Sequence, residues 1–253
     1  MTVEHQVDLR CLDFNDTAPR RPSYHNRMMN TAQPRSWDQF CGAVGVTSLG
    51  LLEWTERLYS LWNLYTKSVS PSNMAASRRT CALLCEIAQA MSDFSIRSVP
   101  TVLDLGSGLS TASLRTFGGV ELTSVDTSAE WLGKTAEFLA ANGLPTDNMH
   151  QWLAFLGAWR NKSAAASSDE TDEAELTRYD LVFYDLGSIS ERGKFLRDAL
   201  DMGNVVILDD VHHYEQVVRE VLGCPPYHEH QVYDLRTATL DDYGRYAWAV
   251  VRP

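Results

Sequence analysis

The chain reads as an α/β protein built on a doubly wound, mostly parallel sheet with a reversed edge strand, preceded by a helical cap. Three features carry that reading. After Pro100, short apolar runs ("TVLDL", "VELTSVD", "YDLVFYDL", "NVVILDD") alternate with amphipathic stretches, the rhythm of parallel strands joined by crossover helices. The last runs, "EHQVYDLRTATL" and "RYAWAVVRP", are separated by the turn signal "DDYG" and predict an antiparallel hairpin at the sheet edge. Before Pro100, apolar residues recur at three and four, the period of a helix face.

Residues 1–35 mix Pro, Arg, Asn and Asp without a sustained period and read as a flexible N-terminal arm. In residues 36–97, the expected cap, Leu51, Leu52, Leu58, Leu61, Trp62 and Tyr65 line helical faces. A further helix is expected to begin at the Ser70, Pro71, Ser72 signal. Residues 98–253 form the expected ligand-binding domain. Within it "SAEWLGKTAEFLAANGL" is a crossover helix ending at Gly143, and the small, acidic segment 161–177 is a surface insertion.

With 253 residues, 44% of them hydrophobic, the chain is long enough to bury a full core. Its formal charge of -11 works against nucleic acid as a partner, because phosphate binding needs clustered Lys and Arg. The short basic stretch "APRRPSYHNR" reads as part of a solvated arm. Five cysteines without a CxxC pair suggest neither a disulfide framework nor a zinc site and fit a reducing, cytoplasmic setting. No apolar run reaches spanning length and the N-terminus is too polar for a signal peptide, so no membrane is expected as a partner. The sequence specifies no oligomeric state.

Chemistry concentrates at "TVLDLGSGLST", residues 101–111. A strand ending near Asp104 and followed by Gly106, Ser107 and Gly108 lets backbone approach a ligand closely, with helix N-terminal amides beyond it. A carboxylate there repels a phosphate and suits a cationic or hydroxylated ligand. Asp126, twenty-two positions later at the next strand end, is placed to accept both hydrogen bonds of a ribose diol, with Thr127 beside it. The pair describes a site for an adenosine carrying a positive group. S-adenosylmethionine, with its ammonium and sulfonium and no phosphate, matches that description.

At these residues the chain resembles the class I S-adenosylmethionine-dependent methyltransferases, over about residues 70–253. "VLDLGSGLS" is similar to that family's glycine-rich first motif, with Ser110 where a third glycine is often found. "SVDTSAEWL" is similar to its ribose-binding second strand, "YDLVFYDLG" to its fourth-strand motif beside the transferred methyl, and "NVVILDDVHH" to its fifth strand. The resemblance implies a seven-stranded Rossmann-like methyltransferase fold and transfer of a methyl group to a small-molecule acceptor, with a hydroxyl oxygen favoured. "NPPY"-like residues, suited to methylating a base amino group, do not follow the fourth strand. An aminopropyl-type transferase, a non-catalytic S-adenosylmethionine-binding protein and an NAD-dependent oxidoreductase are the alternatives.

For the chemical step two arrangements stay open. Asp185, Asp209 and Asp210 resemble the metal triad of catechol and caffeoyl-coenzyme A O-methyltransferases, which implies a divalent cation such as magnesium that lowers a hydroxyl pKa. Here the second position of the fifth-strand pair is Asp210 where those enzymes usually have Asn, and "LGSIS" follows Asp185 where they carry charged residues. Alternatively His212 or His213 serves as general base. Trp131 is placed to cover adenine or to pack on the sheet, and Trp152 has the same two readings. "SPSNMAAS" and "DDYGRYA" are small and polar enough to border the pocket.

Overall fold

A computed structural model describes residues 33–71, 74–94, 99–166 and 178–253. The expected arm at 1–35 lies outside the described residues up to residue 32, as does 167–177 of the expected insertion. Four apolar runs become the central strands: β1 (Thr101–Leu105), β2 (Glu121–Asp126), β4 (Tyr179–Tyr184) and β5 (Gly203–Leu208). The short β3 (Met149–Gln151) and the C-terminal β6 (Gln231–Asp234) and β7 (Trp248–Val251) complete one sheet in the order β3-β2-β1-β4-β5-β7-β6. Every pairing is parallel except those of β7, which runs antiparallel to both β5 and β6.

Side chains of successive strand residues point to opposite faces, and here both faces are covered. Val102, Leu181, Phe183 and Ile207 face one side and pack with α4 (Arg78–Phe94) and α5 (Leu109–Phe117), which bury Leu83, Leu84, Ile87 and Leu114. Leu103, Leu105, Val182, Tyr184 and Val206 face the other. They meet α7 (Trp152–Ala166), α8 (Arg192–Met202) and α9 (Glu215–Leu222) through Trp152, Leu196, Leu200 and Val218. Sheet and helices therefore share two apolar layers, which is why the strands read as near-continuous apolar runs.

The remaining helices are α1 (Trp37–Val44), α2 (Ser48–Arg57), α3 (Tyr59–Ser68), α6 (Ala129–Ala141) and the short α10 (Arg236–Thr239). In the segment expected to cap the sheet, α4 is a full member of the first layer: Cys81, Leu84, Cys85 and Ile87 are all buried. Phe40 of α1 reaches the same layer and meets Tyr233 of β6 edge-on, with ring centroids 5.4 Å apart.

Local chemistry shifts three boundaries. α4 starts at Arg78 rather than Pro71 because Ser77 accepts from the Thr80 amide at 3.0 Å, the bond of an N-cap. "RTAT" is helical rather than extended: Asp234 Oδ1 accepts from the Arg236 amide at 2.8 Å and ends β6. α7 continues to Ala166, so residues 161–166 of the expected loop are helical, in line with the helix propensity of Lys and Ala. The hairpin holds, with β6 at the edge and β7 inside the sheet. Arg35 covers that edge, donating from its amide to Val232 O at 2.7 Å and accepting from the Asp234 amide at 2.9 Å.

Candidate active site

In strand order the chain moves outward from β1 to β3, then returns to β4 on the other side of β1, so the switch point lies between β1 and β4. Ligands in such sheets bind beyond the carboxyl ends of the strands at that point. Two backbone bonds shape the place: the Gly106 amide donates to Val125 O at 2.8 Å and the Asp185 amide to Leu105 O at 2.7 Å. Gly106 has φ +112°, and a Cβ there would sit 2.5 Å from the carbonyl oxygen of Asp185. Only a glycine lets the turn after β1 pass so close to the end of β4.

A cavity of about 540 Å³ opens above this turn. Gly106, Ser107 and Gly108 form one wall, Asp126, Thr127 and Trp131 a second, and Asp185 and Asp210 the floor. Both stretches expected to border a pocket do so, through Ser70, Met74, Ala75 and Ala76 on one side and Arg245 on the other. Tyr65 of α3 also faces it; a Cβ on Gly108 would lie 3.2 Å from the Tyr65 hydroxyl. Trp131 is half-buried on the cavity wall, with the Lys134 ammonium 4.6 Å from its ring centroid. Trp152, by contrast, is a core residue at 1% exposure and meets Phe195 edge-on at 5.2 Å.

Asp126 ties the two strand ends together. Its Oδ2 accepts from the Ser107 amide at 2.9 Å and the Ser107 hydroxyl at 3.1 Å, and its Oδ1 accepts from the Ser128 amide at 2.8 Å. Burial raises its pKa above the usual carboxylate range, against the lowering by these donors. It lines the cavity as the sequence leads one to expect.

Asp104 departs from its expected role. It is fully buried and is not among the described residues that line the cavity. Its two oxygens accept from the hydroxyls of Ser110 and Thr111 in the first turn of α5, so the acid pins that helix to the end of β1. An acid near a helix N-terminus is favoured by the macrodipole, and the hydroxyls satisfy it locally. Burial nonetheless outweighs these bonds and pushes its pKa up to about 7. The native state therefore holds a proton on Asp104 at pH values where the unfolded chain, with a pKa of about 3.9, has released it. That contribution to stability is full below the unfolded pKa and is lost as pH rises toward about 7. We expect denaturant midpoints measured from pH 4 to 8 to fall more steeply with pH in the native protein than in Asp104→Asn; parallel slopes would contradict it.

The two histidines also leave the pocket. Asp210 adopts φ +50°, and the chain turns there into a single 3-10 turn, Val211–His213. Neither His212 nor His213 is among the described residues lining the cavity. Their rings are tilted against each other at 40°, with centroids 3.8 Å apart, and His212 is 5.7 Å from the Tyr246 ring. Burial, then the neighbouring His213, lowers the His212 pKa below its ordinary value.

The acid cluster does assemble: one carboxylate oxygen from each of Asp185, Asp209 and Asp210 lies within 4.8 Å of the others. Asp209 is 4% exposed and does not line the cavity, and burial raises its pKa well above the ordinary carboxylate range. Burial, against the opposing Arg192 charge, pushes Asp185 up to about 6. Sequence reading missed Arg192. Its guanidinium, 7% exposed, donates to Asp185 Oδ1 and to the Asp209 carbonyl at 3.0 Å, and lies 3.3 Å from Asp210 Oδ2. A signal for it exists in the sequence: an arginine in the first turn of a helix opposes the macrodipole and needs an acid beside it. A divalent ion fits this arrangement poorly, because the Arg192 guanidinium already holds Asp185 Oδ1 and lies beside Asp210 Oδ2.

Seven strands in this order, with the seventh reversed and a glycine turn at the switch point, define the Rossmann-like methyltransferase fold. Among solved structures the chain is similar to cofactor-bound Rv0187 from MTB, with a TM-score of 0.50, 15% identity, and coverage of 76% of this chain and 87% of that one. It is also similar to the O-methyltransferase TomG from Streptomyces achromogenes in complex with SAM, at TM-score 0.49, 17% identity, and 85% and 96% coverage. A third is the O-methyltransferase from Bacillus cereus in complex with SAH, at TM-score 0.42, 18% identity, and the same coverage. No family model matches the sequence, and no curated protein matches it. No helix among the described residues is long and apolar enough to cross a membrane.

Proposed function

We propose that the protein is an S-adenosylmethionine-dependent methyltransferase acting on a small-molecule acceptor, with a hydroxyl oxygen as the methylated atom. The observation that carries this reading is the cavity at the β1/β4 switch point, where the Gly106–Gly108 turn and the Asp126 carboxylate face one space. The cavity wall carries three carboxylates, Asp126, Asp185 and Asp210, against two guanidiniums, Arg192 and Arg245. One excess negative charge suits a ligand with an ammonium and a sulfonium and disfavours the pyrophosphate of NAD.

When bound, S-adenosylmethionine would supply an electrophilic methyl group: the acceptor oxygen bonds to the methyl carbon as the sulfur–methyl bond breaks, and the sulfur leaves as the neutral thioether of S-adenosylhomocysteine. This chain's residues bind and orient. Asp126 accepts from the ribose hydroxyls, the Ser107–Gly108 backbone lies against the amino-acid end, and Trp131 flanks adenine. Thr127 borders the same subsite. Asp185, on the cavity floor with its pKa pushed up to about 6, accepts the proton of the acceptor hydroxyl as the methyl is transferred. Asp185 takes this role in preference to His212 and His213 because it lines the cavity and they do not. The net charge of -11 argues against nucleic acid as the acceptor, and four free cysteines among the described residues suit a reducing cytoplasm.

Calorimetric titration with S-adenosylhomocysteine tests the cofactor class. We expect saturable binding with a Kd in the micromolar range, on the order of −8 kcal/mol. NAD binding without S-adenosylhomocysteine binding would replace the reading by an oxidoreductase.

A further inference from the structure

Three strand-end carboxylates close enough to share one cation meet, in this chain, a cation that the chain itself provides. Arg192 is the first residue of α8 and is 6% exposed as a whole residue. Its two terminal nitrogens divide the cluster: Nη2 donates to Asp185 Oδ1, while Nη1 donates to the Asp209 carbonyl at 3.0 Å and lies 3.3 Å from Asp210 Oδ2. Other groups fix the guanidinium's surroundings. The Tyr184 hydroxyl donates to the Arg192 carbonyl, which holds the start of α8 against the end of β4. The Tyr214 hydroxyl donates to the same Asp209 carbonyl at 2.9 Å. Arg245 adds a second positive charge, its Nε 4.0 Å from Asp210 Oδ1.

The helix gives no reason for a cation here, since its N-terminus is the positive end of the dipole. The acids do. A guanidinium presents a planar fork of donors that can bridge several carboxylates at once, which a compact ammonium does not. A divalent ion bound through Asp185 Oδ1 or Asp210 Oδ2 would displace Arg192 from that contact, and one bound through the other carboxylate oxygens would sit against a buried guanidinium of like charge.

We propose that Arg192 stands where a divalent cation would otherwise be held by Asp185, Asp209 and Asp210, and that it is a positioning residue that fixes Asp185 at the cavity floor. The protein accordingly takes no divalent ion at this cluster. The occupancy half of the proposal concerns the acids alone; the positioning half rests on the methyl-transfer reading above.

Terbium, a luminescent oxygen-seeking cation, is the probe. Tyr184 and Tyr214 lie beside the cluster and can sensitise its emission. Titrating the full chain and its Arg192→Met and Arg192→Lys variants, we expect weak terbium binding in the native protein and in Arg192→Lys. Arg192→Met, with the carboxylates left and the cation gone, should bind terbium at least about tenfold more tightly, and magnesium should compete. Native protein that binds terbium as tightly as Arg192→Met would overturn the proposal, as would magnesium-competed binding that Arg192→Lys does not weaken. If Arg192→Met does not fold, the native titration decides alone: competed binding overturns, and its absence at millimolar magnesium supports.

The positioning half is read from the pH dependence of S-adenosylhomocysteine binding. Arg192→Lys, which keeps the charge but not the fork, is expected to shift the profile less than Arg192→Met does; identical profiles in all three overturn that half. Failure of S-adenosylhomocysteine to bind the native protein at all would remove the methyl-transfer reading while leaving the terbium result intact.

Discussion

Gly106→Ala is expected to lower the thermal midpoint by about 6–12 °C and to weaken S-adenosylhomocysteine binding by about a hundredfold. Two independent costs act at this residue. Its φ of +112° is strained for any residue with a Cβ, and the new methyl would lie 2.5 Å from the backbone oxygen of Asp185, which cannot rotate away. Together they amount to about 3 kcal/mol. Relief requires β1 and β4 to separate at the switch point, where the Asp185 amide donates to Leu105 O, so the cofactor wall shifts with the backbone. Gly133→Ala provides the control. It lies in α6 with nothing within 4 Å of its Cβ position, and a stability gain of about 0.5–1 kcal/mol is expected there. Differential scanning calorimetry and titration of both variants decide the matter; equal midpoints would show that the turn tolerates a side chain.

Asp126→Ala should weaken S-adenosylhomocysteine binding by at least about a hundredfold, since two hydrogen bonds to a charged acceptor are each worth about 1.5–3 kcal/mol. Part of that loss comes from the protein's own turn, because Asp126 also holds the Ser107 amide and hydroxyl. Asp126→Asn keeps one accepting oxygen, and about a tenfold loss is expected. Comparing adenosine with 2′-deoxyadenosine separates the two parts. If the carboxylate contacts the ribose diol, the substitution costs less affinity for the deoxynucleoside than for adenosine, giving a coupling between residue and hydroxyl. Equal losses for the two nucleosides would confine Asp126 to holding the turn.

Much of the fold is legible because it rests on local periodicity. Runs such as "YDLVFYDL" and "NVVILDD" are apolar at every position of their inner part, and only strands covered on both faces have reason to be so. The C-terminal hairpin is legible in its turn signal, where Asp241 Oδ1 accepts from the amides of Tyr243 and Arg245. The start of α4 is less so. The signal at residues 70–72 is the one the sequence reading takes, and the helix starts instead after Ser77, whose hydroxyl reaches the Thr80 amide.

The candidate site divides along similar lines. Gly106, Ser107, Gly108, Asp126, Thr127, Trp131, Asp185 and Asp210 meet around one cavity, since strand-end positions in a parallel sheet share one edge. Asp104, Asp209, His212 and His213 have the same kind of sequence position and miss the cavity. Their fate turns on which way the backbone leaves the strand: Asp104 is taken by the hydroxyls of α5, and the φ of +50° at Asp210 leads the histidines into a turn of their own.

Residue pattern alone is enough to specify the alternation of strands and helices, the reversed end of the sheet, and the glycine turn with its partner acid at the next strand end. These are properties of neighbours along the chain, governed by side-chain period, turn chemistry and the steric freedom of glycine. Tertiary structure decides the charge pairing. Arg192 meets Asp185 from seven positions away and Asp210 from eighteen, on different elements, and only the packing of α8 against the ends of β4 and β5 brings a buried guanidinium onto those acids. A buried charge takes whatever partner the fold places within hydrogen-bond reach, and that distance is set by the packed layers rather than by the spacing of residues along the chain.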